Sequence, residues 1–168
     1  MAERILIDGR SGSGKSELAA ALAPLLRAQL VRLDDLYPGW DGLDEGSAAV
    51  PGLLRTGRWR QWDWATDRPG AARTVDLGHP LIVEGVGALT GASRALADAA
   101  IWVELDAGTR KARALARDGE TYAPHWERWA AQEDVLLRRE RPRELADLVV
   151  DGSSAEAALR AVLAFLRT

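Results

Sequence analysis

Residues Gly9–Ser16 read GRSGSGKS and satisfy G-x-x-x-x-G-K-[ST], a spacing whose chemistry is the binding of phosphate. Glycines permit the positive φ values and close backbone approach by which successive N–H groups surround an anion. The free N–H groups and dipole of a following helix add to that attraction. Gly9, Ser11, Gly12, Ser13, Gly14, Lys15, Ser16 and Glu17 are therefore the candidate nucleotide-binding residues, with ATP as the expected nucleotide. Lys15 would reach the β- and γ-phosphates, and the Ser16 hydroxyl would coordinate Mg2+. The chain has twenty arginines and two lysines, so a lysine in this place is informative.

Phosphoryl transfer needs more than a phosphate cradle. It needs a carboxylate near the acceptor hydroxyl, an acid on the metal side, and cations over the transferred group. LDDLYPGW puts Asp34 and Asp35 after an apolar run, at the strand edge where open α/β sheets bind ligands. Asp34 is the candidate to orient and deprotonate the acceptor; an acidic cap or turn residue is the alternative. In LIVEG, Glu84 ends an apolar strand, where a carboxylate is costly unless paired or bound to a cation. It is the second candidate metal-side residue, beside Ser16; the alternative is a structural partner for a loop hydroxyl. TRKARALARDG places Arg110, Arg113 and Arg117 on one helix face, a candidate lid over residues 107–120. Arg113 and Arg117 join Lys15 and Asp34 as the candidate catalytic set, against the alternative of a solvated helix surface.

The elements that must position these groups follow from hydrophobic period. Apolar runs at 4–8, 30–34, 80–85, 99–105 and 147–151 alternate with helical patterns at 15–29, 90–99, 107–119, 123–141 and 154–167. Pro24 is expected to kink or shorten the first helix. This alternation predicts right-handed βαβ units in a three-layer α/β/α fold around a five-stranded parallel sheet, one domain over residues 1–168. Residues 35–79 break the rhythm with Gly, Pro, Asp and Trp and show no clear strand, as an irregular functional insertion would.

Composition bounds the partners. A net charge of −3 gives no general pull toward nucleic acid or an anionic membrane. The chain has no cysteine, and no apolar run approaches a membrane span or a secretory signal, so a cytoplasmic protein is expected. A homodimer is left open. A GTPase should read guanine with N-K-x-D, and the chain contains no asparagine.

Together these segments resemble the uridine kinase family of P-loop nucleoside and small-metabolite kinases. IDGRSGSGKS is similar to its phosphate loop, and DDLY to the segment carrying its catalytic aspartate, which falls on Asp34. LIVEG resembles its Walker-B-like strand, and RALARD its lid arginines, in the family's order over residues 5 to 118. The resemblance implies Mg2+- and ATP-dependent phosphorylation of a hydroxylated small molecule, most plausibly nucleoside-like. A sugar or vitamin precursor is the alternative acceptor, and a regulatory protein with slow ATPase the alternative class.

In that family the stretch corresponding to 35–79 covers the acceptor. Here it carries Tyr37, Trp40, Trp59, Trp62 and Trp64. Aromatic faces can stack on a ring while charged neighbours read its hydroxyls. Asp34, Tyr37, Arg58, Trp62, Asp63, Trp64 and Asp67 are the candidate acceptor residues; the alternative is a tryptophan cluster that only anchors a loop. Trp102 reads as core, Trp126 and Trp129 as one buried helix face, with Tyr122 to Trp129 packing on the lid as the alternative. His79 and His125 read as structural, and VVDGSS either as an adenine-side wall or as a helix cap at Ser153 or Ser154.

Overall fold

A computed structural model describes residues 4–168; residues 1–3 of the expected domain lie outside it. The chain opens with strand β1 (Arg4–Asp8), the glycine-rich loop and helix α1 (Lys15–Leu26). Helix α1 is shorter than expected: Pro24 lies in its last turn and Arg27 leaves it at φ 52°. Strand β2 (Gln29–Arg32) runs into a 3-10 turn at Leu33–Asp35, so Asp34 sits on that turn just past the strand.

Residues 35–79 are more regular than their composition suggests. Helix α2 (Leu43–Thr56) is followed by an antiparallel hairpin of β3 (Arg58–Asp63) and β4 (Arg68–Thr74). The expectation of no strand is therefore corrected. A register shift between Arg60 and Trp62 breaks the two-residue alternation that would have marked β3. Pro51 and Gly52 likewise obscure a helix whose buried residues, Leu43, Val50, Leu53 and Leu54, share one face.

The chain continues through β5 (Leu81–Glu84), a single helical turn α3 (Gly91–Arg94), and β6 (Ala99–Glu104). Helix α4 (Ala107–Tyr122), α5 (Trp126–Glu140), the turn α6 (Pro142–Leu145), β7 (Leu148–Asp151) and α7 (Ala155–Leu166) complete it. The helix expected over 90–99 is only α3, and α4 changes direction at Gly119, whose φ is 52°. Strand order is β2-β5-β1-β6-β7, all parallel, with the hairpin as a separate two-stranded sheet. The expected five-stranded α/β/α architecture is present.

Alternation on β1 assigns the two cores. Ile5 and Ile7 face α1 and α7 with Ile82, Ile101 and Val150; Leu6 faces the opposite layer with Val83, Leu53, Trp129 and Leu136. Among the described residues no helix is long and apolar enough to cross a membrane.

Asp8 closes β1 at 1% exposure. Its carboxylate accepts from Gly9 N at 2.7 Å, Gly87 N at 3.2 Å and Leu89 N at 2.9 Å, tying the glycine-rich loop to the turn after β5. Burial nevertheless pushes it from 3.8 up to about 7. The folded chain thus keeps a proton that the unfolded chain has already lost, and this group's contribution to stability falls as pH rises from about 4 to about 7. From pH 5 to 7 that loss is about 2 kcal/mol. Urea unfolding of Asp8→Asn across this interval should show a flatter slope than wild type by that amount.

Candidate active site

The glycine-rich loop turns between β1 and α1, with Gly12 at φ 81° and Gly14 at φ 99°. A Cβ on Gly12 would collide with the Arg110 carbonyl, so this position needs glycine for both its angle and its neighbour. Gly152, after β7, packs equally closely on the Ser13 carbonyl. Gly14 is the N-cap of α1 and offers no side-chain cap, which leaves that helix N-terminus for a ligand. Lys15 is without a hydrogen bond or ion pair among the described residues.

Ser16 Oγ donates to Glu84 Oε1 at 2.9 Å. The other oxygen, Oε2, is buried without a partner, as is Ser13 Oγ. Burial raises the Glu84 pKa, against the pull of Lys15. A hydroxyl next to a half-satisfied buried carboxylate, opening on a phosphate cradle, fits a divalent cation that keeps waters and phosphate oxygens as its other ligands. Among the described residues no three His, Asp or Glu side chains form a protein-only metal site. The structural alternative for Glu84, a partner to a loop hydroxyl, is thus also present, and the orphaned oxygen goes beyond it.

Two cavities meet at Lys15, Ser16, Asp34, Arg117 and Asp118, which line both. The outer cleft, about 590 Å3, runs along Gly12, Gly14, Glu17 and Arg113. The second, about 460 Å3, is walled by Tyr37, Trp40, Trp64, Tyr122 and Trp129. The Asp34 side chain is without a hydrogen-bond partner among the described residues; its carbonyl accepts from Trp64 Nε1 at 2.7 Å.

Trp40 is the hub of the aromatic wall. It stacks on His125 at 4.3 Å and Tyr122 at 5.4 Å, and meets Trp64 edge-on at 5.2 Å and Trp129 at 6.2 Å. Helix α5 holds it: Gln132 Nε2 donates to the Trp40 carbonyl at 2.6 Å, and Arg128 pairs bidentately with Asp41.

The lid arginines divide. Arg117 is chelated by Asp118 and lines both cavities. Arg113 donates to the carbonyls of Gly152 at 2.8 Å and Ser153 at 3.3 Å, fastening α4 to the loop after β7. Arg110, the weaker sequence candidate, is buried and donates to Leu105 and Ser11 carbonyls. Gly9 lies beneath the loop, its N–H spent on Asp8.

Of the acceptor candidates, Asp34, Tyr37 and Trp64 line the aromatic cavity; Arg58, Trp62, Asp63 and Asp67 do not. Arg58 and Trp62 border a separate groove between the hairpin and α2. Asp63 caps the hairpin turn through Thr66 and Ala65, and Asp67 takes φ 50° there. The residues that replace them, Tyr122 and Trp129, come from α4 and α5, some sixty residues on. For Trp129 the signal was the apolar stripe of α5, read as core; Tyr122 is the last residue of α4. Trp102 is core, and Ser154 caps α7.

No protein-family model matches the sequence, and no curated protein does. Solved structures do. A possible uridine kinase from Bacillus stearothermophilus matches at 22% identity over 88% of each chain, with a TM-score of 0.60. Shikimate kinase from Bacteroides thetaiotaomicron matches at 13% over the whole of both chains, at 0.63. A sugar kinase from Janibacter matches at 17% over 99% of this chain and 95% of that one, at 0.61. What the chain shares with these kinases is the fold. They are named for different acceptors, so the likeness leaves the acceptor open.

Exposure separates the two roles a wall tryptophan can have. Trp129 is 4% exposed and Trp64 38%. Trp129→Ala is expected to cost about 3–5 kcal/mol in denaturant unfolding, and Trp64→Ala about 1 kcal/mol.

Proposed function

We propose that this chain is an ATP-dependent kinase that transfers the γ-phosphoryl group to a hydroxyl of a small molecule. The observation that carries the reading is the seam between the two cavities, where an unpaired lysine and an unpaired aspartate face both. The loop amides and Lys15 hold the triphosphate, and Arg113 and Arg117 flank its outer end. Ser16 and Glu84 would hold a magnesium ion, which would neutralise charge on the phosphates. Asp34 orients the acceptor hydroxyl and takes its proton as the oxygen bonds to the γ-phosphorus and the bond to ADP breaks.

The aromatic cavity argues for what the acceptor is. Among the described residues its only cations are Lys15 and Arg117, both at the phosphate end, and Arg117 is already chelated by Asp118. With Lys15 taken up by the triphosphate, a carboxylate on the acceptor would find no free cation among these residues. The wall of Trp40, Trp64, Tyr122 and Trp129 instead suits a ring with a flat face, as in a nucleoside or a nucleoside-like metabolite. A sugar or vitamin precursor is the second acceptor class, since aromatic faces also pack on sugar rings. A regulatory protein with slow ATPase would need no such cavity.

Lys15→Ala should abolish MgATP binding in calorimetry; retained binding would refute the assignment of the loop. Asp34→Asn should leave MgATP affinity within about twofold while lowering acceptor-dependent ADP release by about 100-fold or more. An equal fall in both would remove Asp34 from the acceptor side.

A further inference from the structure

Ser11, third residue of the glycine-rich loop, is held by side chains from two helices that also wall the aromatic cavity. Its Oγ donates to Glu133 Oε2 at 2.7 Å and its N–H donates to the same oxygen at 3.3 Å. Its Oγ also accepts from the Tyr122 hydroxyl at 2.9 Å. The second Glu133 oxygen accepts from Arg10 Nε at 2.9 Å, so both oxygens are spent on neighbouring loop residues. Glu133 is 1% exposed and stands on the stripe Trp126, Trp129, Leu136 that α5 turns inward. An apolar residue would fill that place at no desolvation cost, whereas a lone carboxylate there is costly. The carboxylate's contacts are all with the loop or with groups that reach it.

The other ends of these contacts lie in the acceptor wall. Tyr122 stacks on Trp40. Trp129, one turn before Glu133, meets Tyr37 at 4.7 Å and Trp40 at 6.2 Å. A shift of either ring on filling the cavity therefore reaches Ser11 through a single side chain.

We propose that Glu133 is a positioning residue for nucleotide binding, and that the chain Tyr122–Ser11–Glu133 couples the aromatic cavity to the phosphate loop. Glu133 fixes the Arg10–Ser11 peptide so that the following amides stay turned toward the phosphates. Tyr122, donating into the same hydroxyl, makes the state of the cavity felt at the loop. Linkage makes the coupling reciprocal: a filled cavity tightens MgATP, and MgATP tightens the acceptor by the same factor. This role rests on the nucleotide-binding reading of the loop given above.

Titration calorimetry of MgATP on the full chain tests it. Wild type is compared with Glu133→Gln, Ser11→Ala, Tyr122→Phe and the Glu133→Gln/Ser11→Ala double variant, each checked for cooperative unfolding. Arg139→Ala, on the exposed side of the same helix, is the control for general loosening of α5. Glu133→Gln should weaken MgATP about tenfold, Ser11→Ala about fivefold and Tyr122→Phe about twofold to threefold, with Arg139→Ala unchanged. The double variant should be no weaker than Glu133→Gln alone, the mark of residues acting through one contact. The change in tryptophan emission on MgATP addition, arising at Trp40 and Trp129, should shrink in Tyr122→Phe. Affinities within twofold of wild type in both Glu133→Gln and Ser11→Ala, or additive losses in the double variant, would overturn the role. Should Glu133→Gln not fold, Ser11→Ala and Tyr122→Phe decide alone. Wild type that binds no MgATP would contradict the nucleotide reading and this role with it, whereas binding with unaffected variants contradicts this role only.

Discussion

A loop that offers its backbone amides to a phosphate can spend few of them on holding its own shape; here the Ser13 N–H does so, donating to the Arg10 carbonyl at 3.0 Å. The architecture around Gly9–Ser16 answers that constraint with buried side chains from elsewhere. Asp8 takes the Gly9 amide below the loop, and Glu133 takes the Ser11 amide from the side. Arg110 donates to the Ser11 carbonyl, and Gly152 packs without a side chain on the Ser13 carbonyl. Strands β1, β6 and β7 are adjacent in the sheet, so their carboxyl ends bring Asp8, Arg110 and Gly152 to one place, and Glu133 reaches it from α5. Asp8 and Glu133 follow the same logic: each is expensive alone and is accepted where it fixes backbone beside the ligand cradle.

The aromatic cavity, the proposed acceptor side, is built on a different principle. Five rings wall it, from α4, α5, the segment after β2 and the turn of the hairpin, and its charged groups Lys15, Asp34, Arg117 and Asp118 gather where it meets the outer cleft. Trp64 reaches from that turn to the Asp34 carbonyl, so the hairpin is pinned beside the candidate base. Helix α5 belongs to both halves. Gln132 and Trp129 serve the wall, and Glu133, next along, serves the loop.

What was legible in the sequence was local. The loop motif, the carboxylates ending two strands, and the βαβ rhythm each depend on residues close together, and the structure brings Lys15, Ser16, Asp34 and Glu84 to one end of the sheet. The stretch 35–79 was not legible because its helix carries Pro51 and Gly52 and its hairpin is bulged and exposed on both strands. The segment that looked most like an acceptor surface, WDWATD, contributes only Trp64 to the cavity, because the hairpin turns Trp62 toward α2 and uses Asp63 to cap its own turn. Two of the five rings of the wall, Tyr122 and Trp129, come from α4 and α5, far along the chain from the segments that supply the others. One sign was present: a glutamate on an otherwise apolar helix stripe, which implies a buried partner elsewhere in the chain.

The proposed reaction moves the γ-phosphoryl group from ATP to a hydroxyl held against Asp34 and the aromatic wall. It is tested most directly by following the label from γ-phosphate-labelled ATP in the presence of nucleosides, neutral sugars, vitamin precursors and sugar acids. The account expects label in a phosphomonoester of a ring-bearing, uncharged acceptor, and none in a carboxylate-bearing one. Label recovered only as inorganic phosphate, at one rate whatever the compound added, would contradict it.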